Sequence, residues 1–308
     1  GPIIEKLVFQ ISVATCPGWR VLTVMLLSFR RRTRQEKMSK YFKIPAGIQS
    51  QAITLEGMAG EWIHGSDANS GVILYLHGGA YSLGSINTHR EFIARLARDT
   101  RTRCLAIDYR LAPEHAFPAA LDDATSAYLW LLKQGIDPSR IIIAGDSAGG
   151  GLALSTVVNL CESGEKLPAG IVCISPWTDL SLSGASVQRK AKDDFILDRE
   201  GLMVKASYYA GKFDLKSPLI SPLFANLDGL PPLLIQVGSE EILLDDSTRF
   251  HEKGLASGVD VTLEVYGGMF HVFQLLSILP ETKKAIGQIA KFVTKRLNSE
   301  NFSFGDNE

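Results

Sequence analysis

The run Gly145-Asp-Ser-Ala-Gly149 constrains the fold of this chain more than any other five residues. It follows Arg140 to Ala144, a β-branched segment that reads as a strand. It precedes Ala148 to about Cys161, apolar nearly all round, which reads as a buried helix. A serine in a glycine-flanked turn from strand to helix is lifted above the edge of a sheet. The small residues beside it let the backbone turn, and the helix N-terminus beneath favours negative charge near its hydroxyl. As an isolated pentapeptide the run would be a turn with an incidental serine; its place between a strand and a helix is what makes it specific.

The rest of the chain fits that placement. From about residue 50, strand-like and helix-like segments alternate, the pattern of an α/β fold with a mostly parallel central sheet flanked by helices. Further strands are predicted at 71–76, 103–108, 169–175, 233–237 and 261–266. Helices are predicted at 117–134, where Leu121, Ala124, Tyr128, Leu129 and Leu132 keep helical spacing, and at about 281–297. Residues 298–308 are polar and read as a frayed tail. The stretch from about Thr178 to Pro218 breaks the alternation, mixing large apolar residues with charges. It reads as an excursion above the strand ends. No linker isolates it, so residues 46–308 are expected to form one catalytic domain, with 178–218 and the N-terminal residues 1–45 together supplying a helical cap.

Composition excludes several classes. Lys and Arg number 32 against 33 Asp and Glu, a net charge of -1, which argues against a nucleic-acid partner because a phosphate lattice needs a concentrated basic face. Cys16, Cys104, Cys161 and Cys173 lie apart without C-x-x-C spacing, so they read as buried thiols in a reducing, cytoplasmic setting. Near the N-terminus, Leu7 to Trp19 is uncharged and Val21 to Phe29 is apolar, with Arg30, Arg31 and Arg32 after them. The break at Pro17-Gly18-Trp19-Arg20 leaves neither run near the roughly 18–20 residues of a spanning helix. Two short helices with apolar faces are expected there, not a signal peptide or a membrane anchor. The opening Gly1-Pro2, without a methionine, reads as the remnant of a cleaved tag.

His77-Gly78-Gly79-Ala80 follows the predicted strand 71–76. Acyl transfer generates an oxyanion, and backbone N–H groups must reach it where no side chain intrudes. Gly78 and Gly79 are therefore expected to donate to it together with the N–H of Ala148. Together with Asp108-Tyr-Arg-Leu-Ala-Pro-Glu114, Phe117-Pro118-Ala119 and Ser175-Pro-Trp177, these motifs resemble the bacterial hormone-sensitive-lipase-like esterases, in their G-D-S-A-G form. The resemblance runs from about residue 57 to residue 297. It implies an α/β-hydrolase fold with a helical cap and a serine carboxylesterase acting on small-molecule esters of short to medium acyl chains. Tyr109, Arg110 and Glu114 would be scaffold. A homodimer through the edge strand and the last helix is also implied.

Ser147 is then the nucleophile. In this fold the order is serine, acid, histidine, so the base lies downstream, at His251 or His271. His251 sits in a charged helical stretch with Arg249, Glu252 and Lys253. His271 sits in the loop after strand 261–266, where the family places its base. For the acid, the loop after strand 233–237 offers Glu240, Glu241, Asp245 and Asp246. The family's usual aspartate followed by proline and leucine falls in register on Glu241, so the chain departs from it in acid type and in the missing proline. Asp245 is the rival, although it and Asp246 stand where N-capping of the next helix accounts for them. Phe195, Leu202, Met203 and Tyr209 are expected to roof the substrate. No cofactor and no metal is expected: no His/Cys cluster has ligand spacing, and no G-x-G-x-x-G opens a helix after the first strand. A peptidase of this fold would need an added domain, and a non-catalytic relative would need no complete triad. An interfacial lipase using the N-terminal apolar segment is the remaining alternative.

Overall fold

In the computed structural model, residues 30–37, 39, 43–68 and 71–298 are described. The expectations for the two N-terminal apolar runs, Cys16 and the tail beyond residue 298 fall outside them. Eight strands form one sheet in the order β1-β2-β4-β3-β5-β6-β7-β8. The strands are β1 (Ile48–Leu55), β2 (Met58–Gly65), β3 (Val72–Leu76), β4 (Arg103–Ile107), β5 (Ile141–Asp146), β6 (Gly170–Ile174), β7 (Leu233–Gly238) and β8 (Val261–Tyr266). From β4 to β8 every pairing is parallel, in keeping with the alternation in the sequence.

The antiparallel edge was not foreseen. β1 and β2 form a hairpin, and β2 pairs antiparallel with β4. The turn is Glu56-Gly57, with φ of 48° and 95°, so both central residues take the left-handed conformation of a primed two-residue turn. Its glutamate and the mostly solvated face of β1 hide the usual sequence signs of a hairpin.

The helices are α1 (Ile86–Thr100), α2 (Ala119–Lys133), α3 (Ala148–Glu162), α4 (Ser186–Arg189), α5 (Arg199–Ala210), α6 (Leu244–Ala256) and α7 (Pro280–Leu297). Among the described residues, no helix is long and apolar enough to cross a membrane. The sheet's pleat splits the core in two. Val72, Leu74 and Leu76 of β3 face α2, α3, α5 and α6. Ile73 and Tyr75 face α1 and α7. Strands buried on both faces explain why these segments read as continuous apolar runs. Ser85 caps α1 in a reciprocal box with Thr88, and Asp108 Oδ1 accepts the Ile86 N–H.

β4 lies on one side of β3 and β5 on the other, so the chain reverses direction across the sheet between β3 and β5. In open α/β sheets the crevice at the carboxyl ends of such strands is where ligands bind. Here α3 runs close against β3. A Cβ at Gly149 would lie 2.0 Å from the Leu76 carbonyl oxygen and 2.5 Å from that of His77, both rigid backbone. Gly149→Ala should therefore cost about 3 kcal/mol or more. Gly287→Ala, inside α7 with nothing near the added methyl, should instead stabilise by roughly 0.5–1 kcal/mol. Urea denaturation of the two variants checks both signs.

Candidate active site

Ser147 lies between β5 and α3 with φ 53° and ψ −122°. Its N–H donates to the Ile174 carbonyl at 2.8 Å, and its own carbonyl accepts from Gly151 and Trp177. Five backbone hydrogen-bonding groups thus hold a conformation that costs a non-glycine residue on the order of 1–3 kcal/mol. The hydroxyl stands at the carboxyl edge of the sheet, on the floor of an open cavity.

His271 reaches that hydroxyl from the loop after β8. Ser147 Oγ is 2.9 Å from its Nε2, and its Nδ1 is 2.7 Å from Glu241 Oε2. In the tautomer that satisfies both contacts, Nδ1–H donates to the carboxylate and Nε2 accepts from the serine. Glu241 is fully buried in the loop after β7. Its Oε1 accepts the Gly238 N–H and the Ser175 hydroxyl, each at 2.6 Å. A buried carboxylate is tolerated when its lone pairs are filled in this way. His251 lies half-exposed in α6, away from this cluster.

Asp245 does not approach His271. Its carboxylate accepts the Ser186 N–H at 2.8 Å and pairs with Arg189 at 2.9 Å. The expectation that Asp245 and Asp246 cap their own helix is corrected. The N-cap is Leu243, and both aspartates already lie in the first turn. Asp246 points inward and accepts the Thr178 and Asp179 N–H groups. Burial pushes its carboxyl up to about 8. These two acids tie the 178–189 excursion to α6, a long-range role that local spacing does not reveal.

The loop after β3 brings a second correction. Gly78 N–H donates to Asp146 Oδ1 at 2.9 Å, so it is committed to the protein. Among the described residues, no acceptor is recorded for the N–H of Gly79 or Ala80. Both residues line the cavity beside Ser147, with φ of 124° and 50°. At Gly79 only glycine serves, because a Cβ there would lie 2.2 Å from the Leu83 carbonyl oxygen. The open N–H groups are thus Gly79 and Ala80, one residue further along than the sequence suggested, together with Ala148 at the start of α3.

Asp146 was not singled out in the sequence. It is fully buried and also accepts the Tyr75 hydroxyl at 2.7 Å, with His89 Nε2 3.4 Å away. Burial pushes its carboxyl up, but the charge and hydrogen bond of His89 outweigh this and hold it below the ordinary value. Burial lowers His89, and Asp146 more than restores it, leaving it raised. His77 stacks on Tyr109 at 4.3 Å and is driven down to about 3, by burial first and then by His89. It is therefore neutral at ordinary pH. Tyr109 donates to the His77 carbonyl at 2.6 Å, and Arg110 pairs with Asp123, both scaffold contacts.

The cavity over Ser147 holds about 760 Å³. Phe92, Phe195, Ile196, Leu197, Phe270 and Leu275 give it an apolar wall. Arg34 and Gln35, from the helical residues 30–37, border it on another side. Arg32 of the same stretch donates to the Ser82 and Ala112 carbonyls and pairs with Glu114. Of the four expected roof residues only Phe195 lines this cavity. Tyr209 stacks on Tyr81 at 3.6 Å, Leu202 is buried in the core, and Met203 packs against it. Helical spacing shows that a residue is apolar, not which of two apolar surfaces it meets.

Comparison with known proteins identifies the fold and the family. Residues 73–275 match the model of a family described as having the alpha/beta hydrolase fold. An esterase of Acinetobacter venetianus is 41% identical over 261 residues, covering 84% of this chain and 86% of its own. An acetyl-hydrolase of Streptomyces hygroscopicus is 42% identical over 251 residues, covering 81% and 83%. A crystal structure of an esterase from the bacterial hormone-sensitive lipase family superposes with a TM-score of 0.85 at 44% identity, covering 88% of this chain and 92% of that one. The chain belongs to the α/β-hydrolases and, within them, to the bacterial hormone-sensitive-lipase-like esterases.

Proposed function

We propose that this carboxylic-ester hydrolase works through Ser147, His271 and Glu241, and that it prefers short- to medium-chain acyl esters. The observation that carries the reading is the unbroken hydrogen-bonded line from Ser147 Oγ through both imidazole nitrogens to Glu241. His271 Nε2 takes the serine proton as Oγ attacks the ester carbonyl. Glu241 holds the imidazole in the working tautomer and offsets its positive charge. The N–H groups of Gly79, Ala80 and Ala148 receive the developing oxyanion. His271 then hands the proton to the departing alcohol, and water releases the acid from the acyl-enzyme by the same route. Arg34, Gln35 and Ser39 from the 1–45 stretch, and Phe195, Ile196 and Leu197 from the 178–218 excursion, border the cavity and act as its cap.

Ser147→Ala and His271→Ala should each lower kcat by several orders of magnitude, and the double variant should be little worse than either, because triad members act as a unit. Glu241→Gln should lower kcat by on the order of 10³–10⁴. Asp245→Asn should leave kcat nearly intact, since its Arg189 contact is a solvent-facing pair. Steady-state hydrolysis of p-nitrophenyl butyrate measures all five. Swapped phenotypes for Glu241→Gln and Asp245→Asn would reassign the acid.

Each acyl methylene that the apolar wall buries adds about 0.8 kcal/mol, roughly fourfold in kcat/KM. Beyond the length the cavity accommodates, a further methylene stays wet and the gain ends. A p-nitrophenyl ester series should therefore rise from acetate, peak at about C4 to C8 and fall steeply by C12 to C16. One observation favours a second reading, an interfacial lipase: Phe195 and Leu276, beside the mouth, are 73% and 46% exposed, and nearby Ile278 is 87% exposed. A profile that climbs through C16 and jumps above the substrate's solubility limit would select it.

A further inference from the structure

Besides Ala80 at φ 50° in the loop after β3, three non-glycine residues at the site hold left-handed backbone: Ser147 at φ 53°, Ser175 at 46° and Val272 at 52°. Such conformations persist where surrounding structure fixes them, and they gather at functional sites. Ser147 and Val272 have evident reasons, one being the elbow itself and the other following His271. Ser175 stands at the carboxyl end of β6, between the strand that delivers Ser147 and the strand that delivers Glu241. It is fully buried, and its own N–H is held by the Gln236 carbonyl at 2.6 Å.

This backbone turns the Ser175 side chain toward two partners. Its hydroxyl donates to Glu241 Oε1 at 2.6 Å, in the range of a hydrogen bond to a charged acceptor, and accepts the Val272 N–H at 3.3 Å. One oxygen therefore touches both the acid and the residue next to the base. We infer that Ser175 is a positioning residue of the hydrolysis: through its hydroxyl it fixes the Glu241 carboxylate against His271 and sets how strongly that carboxylate attracts the imidazole's proton. This rests on the reading of Glu241 as the triad acid.

The electrostatic sense follows from what the hydroxyl does. A donor to Oε1 spreads the carboxylate's negative charge away from Oε2, the oxygen that faces His271 Nδ1. Without it the charge on Oε2 is less compensated and the imidazolium is favoured. Other charged groups near the pair are Asp194, which accepts the Ile242 N–H from the excursion, Lys190 with Glu240 at the rim, and Arg34 and Glu91, which line the same cavity as His271. Asp146 with His89 lies on the far side of Ser147. Among the described residues none of these hydrogen-bonds Glu241 or His271, and none changes when Ser175 does.

Two variants remove the hydroxyl in different ways. Ser175→Ala keeps the Cβ, whereas Ser175→Gly also relieves the left-handed backbone and so guards against a failure to fold. Active sites are counted by stoichiometric phosphonylation with a p-nitrophenyl phosphonate, and p-nitrophenyl butyrate hydrolysis is followed from pH 5 to 9. In both variants kcat per active site should fall about ten- to a hundredfold with KM within about twofold. The acid limb of kcat/KM should move up by about half a pH unit or more. In a Glu241→Gln background, Ser175→Ala should cost almost nothing more, because the hydroxyl acts through the lost charge. Unchanged kcat with an unmoved acid limb, or a drop in Tm alone, would overturn the role of Ser175. A fall in kcat that persists undiminished in the Glu241→Gln background would overturn its action through Glu241. Full activity in Glu241→Gln alone would dismiss the triad reading and the role of Ser175 together.

Discussion

Helix α3 can begin where it does only because its backbone reaches the backbone of β3 with no side chain between them. Gly149 faces the Leu76 and His77 carbonyls at a distance that leaves no room for a methyl group. That approach seats the helix N-terminus directly behind Ser147 and forces the serine into its left-handed turn. It also fixes the serine relative to the loop leaving β3, which carries the free N–H groups. A slightly larger separation would detach Ser147 from those N–H groups while leaving the sheet intact.

Around that contact the parallel register does the assembling. β5, β6, β7 and β8 end at one edge and deliver Ser147, Ser175, Glu241 and His271. Residues distant in sequence become neighbours because each lies in the loop just beyond the carboxyl end of its own strand. The glutamate fits this scheme without the proline usual in the family. Its longer side chain folds back onto the Gly238 N–H of its own turn and still presents Oε2 to the imidazole.

Much of this was legible in the sequence where the signal was local. The parallel strands, the turn at Ser147 and the loops that bring Glu241 and His271 to it all rest on short segments whose pattern matches their final surroundings. The failures share a cause. Gly78 looked like an oxyanion donor because glycine is what such a loop needs, but its N–H is claimed by Asp146, a partner no spacing reveals. Leu202 and Tyr209 had the right chemistry for a pocket wall and were claimed by the core. Asp245 and Asp246 had the right position for a cap and were claimed by residues 178–189. In each case two sites competed for one group, and only tertiary structure decides between them.

Arg32 carries a consequence of its own. Its guanidinium donates to the carbonyls of Ser82 and Ala112 and grips Glu114, so one side chain joins the 30–37 helical stretch to the loop after β3 and to the segment after β4. Order in the one is thereby thermodynamically linked to order in the other. Whatever displaces the N-terminal stretch also removes donors from the Ser82 carbonyl, two residues beyond Ala80, and from the Ala112 carbonyl in the segment after β4, and whatever rigidifies those segments strengthens the hold on that stretch. Coupling of this kind is reciprocal. The N-terminal border of the cavity and the backbone beyond Gly79 and Ala80 are thus two ends of a single equilibrium, and order at one is felt as stiffness at the other.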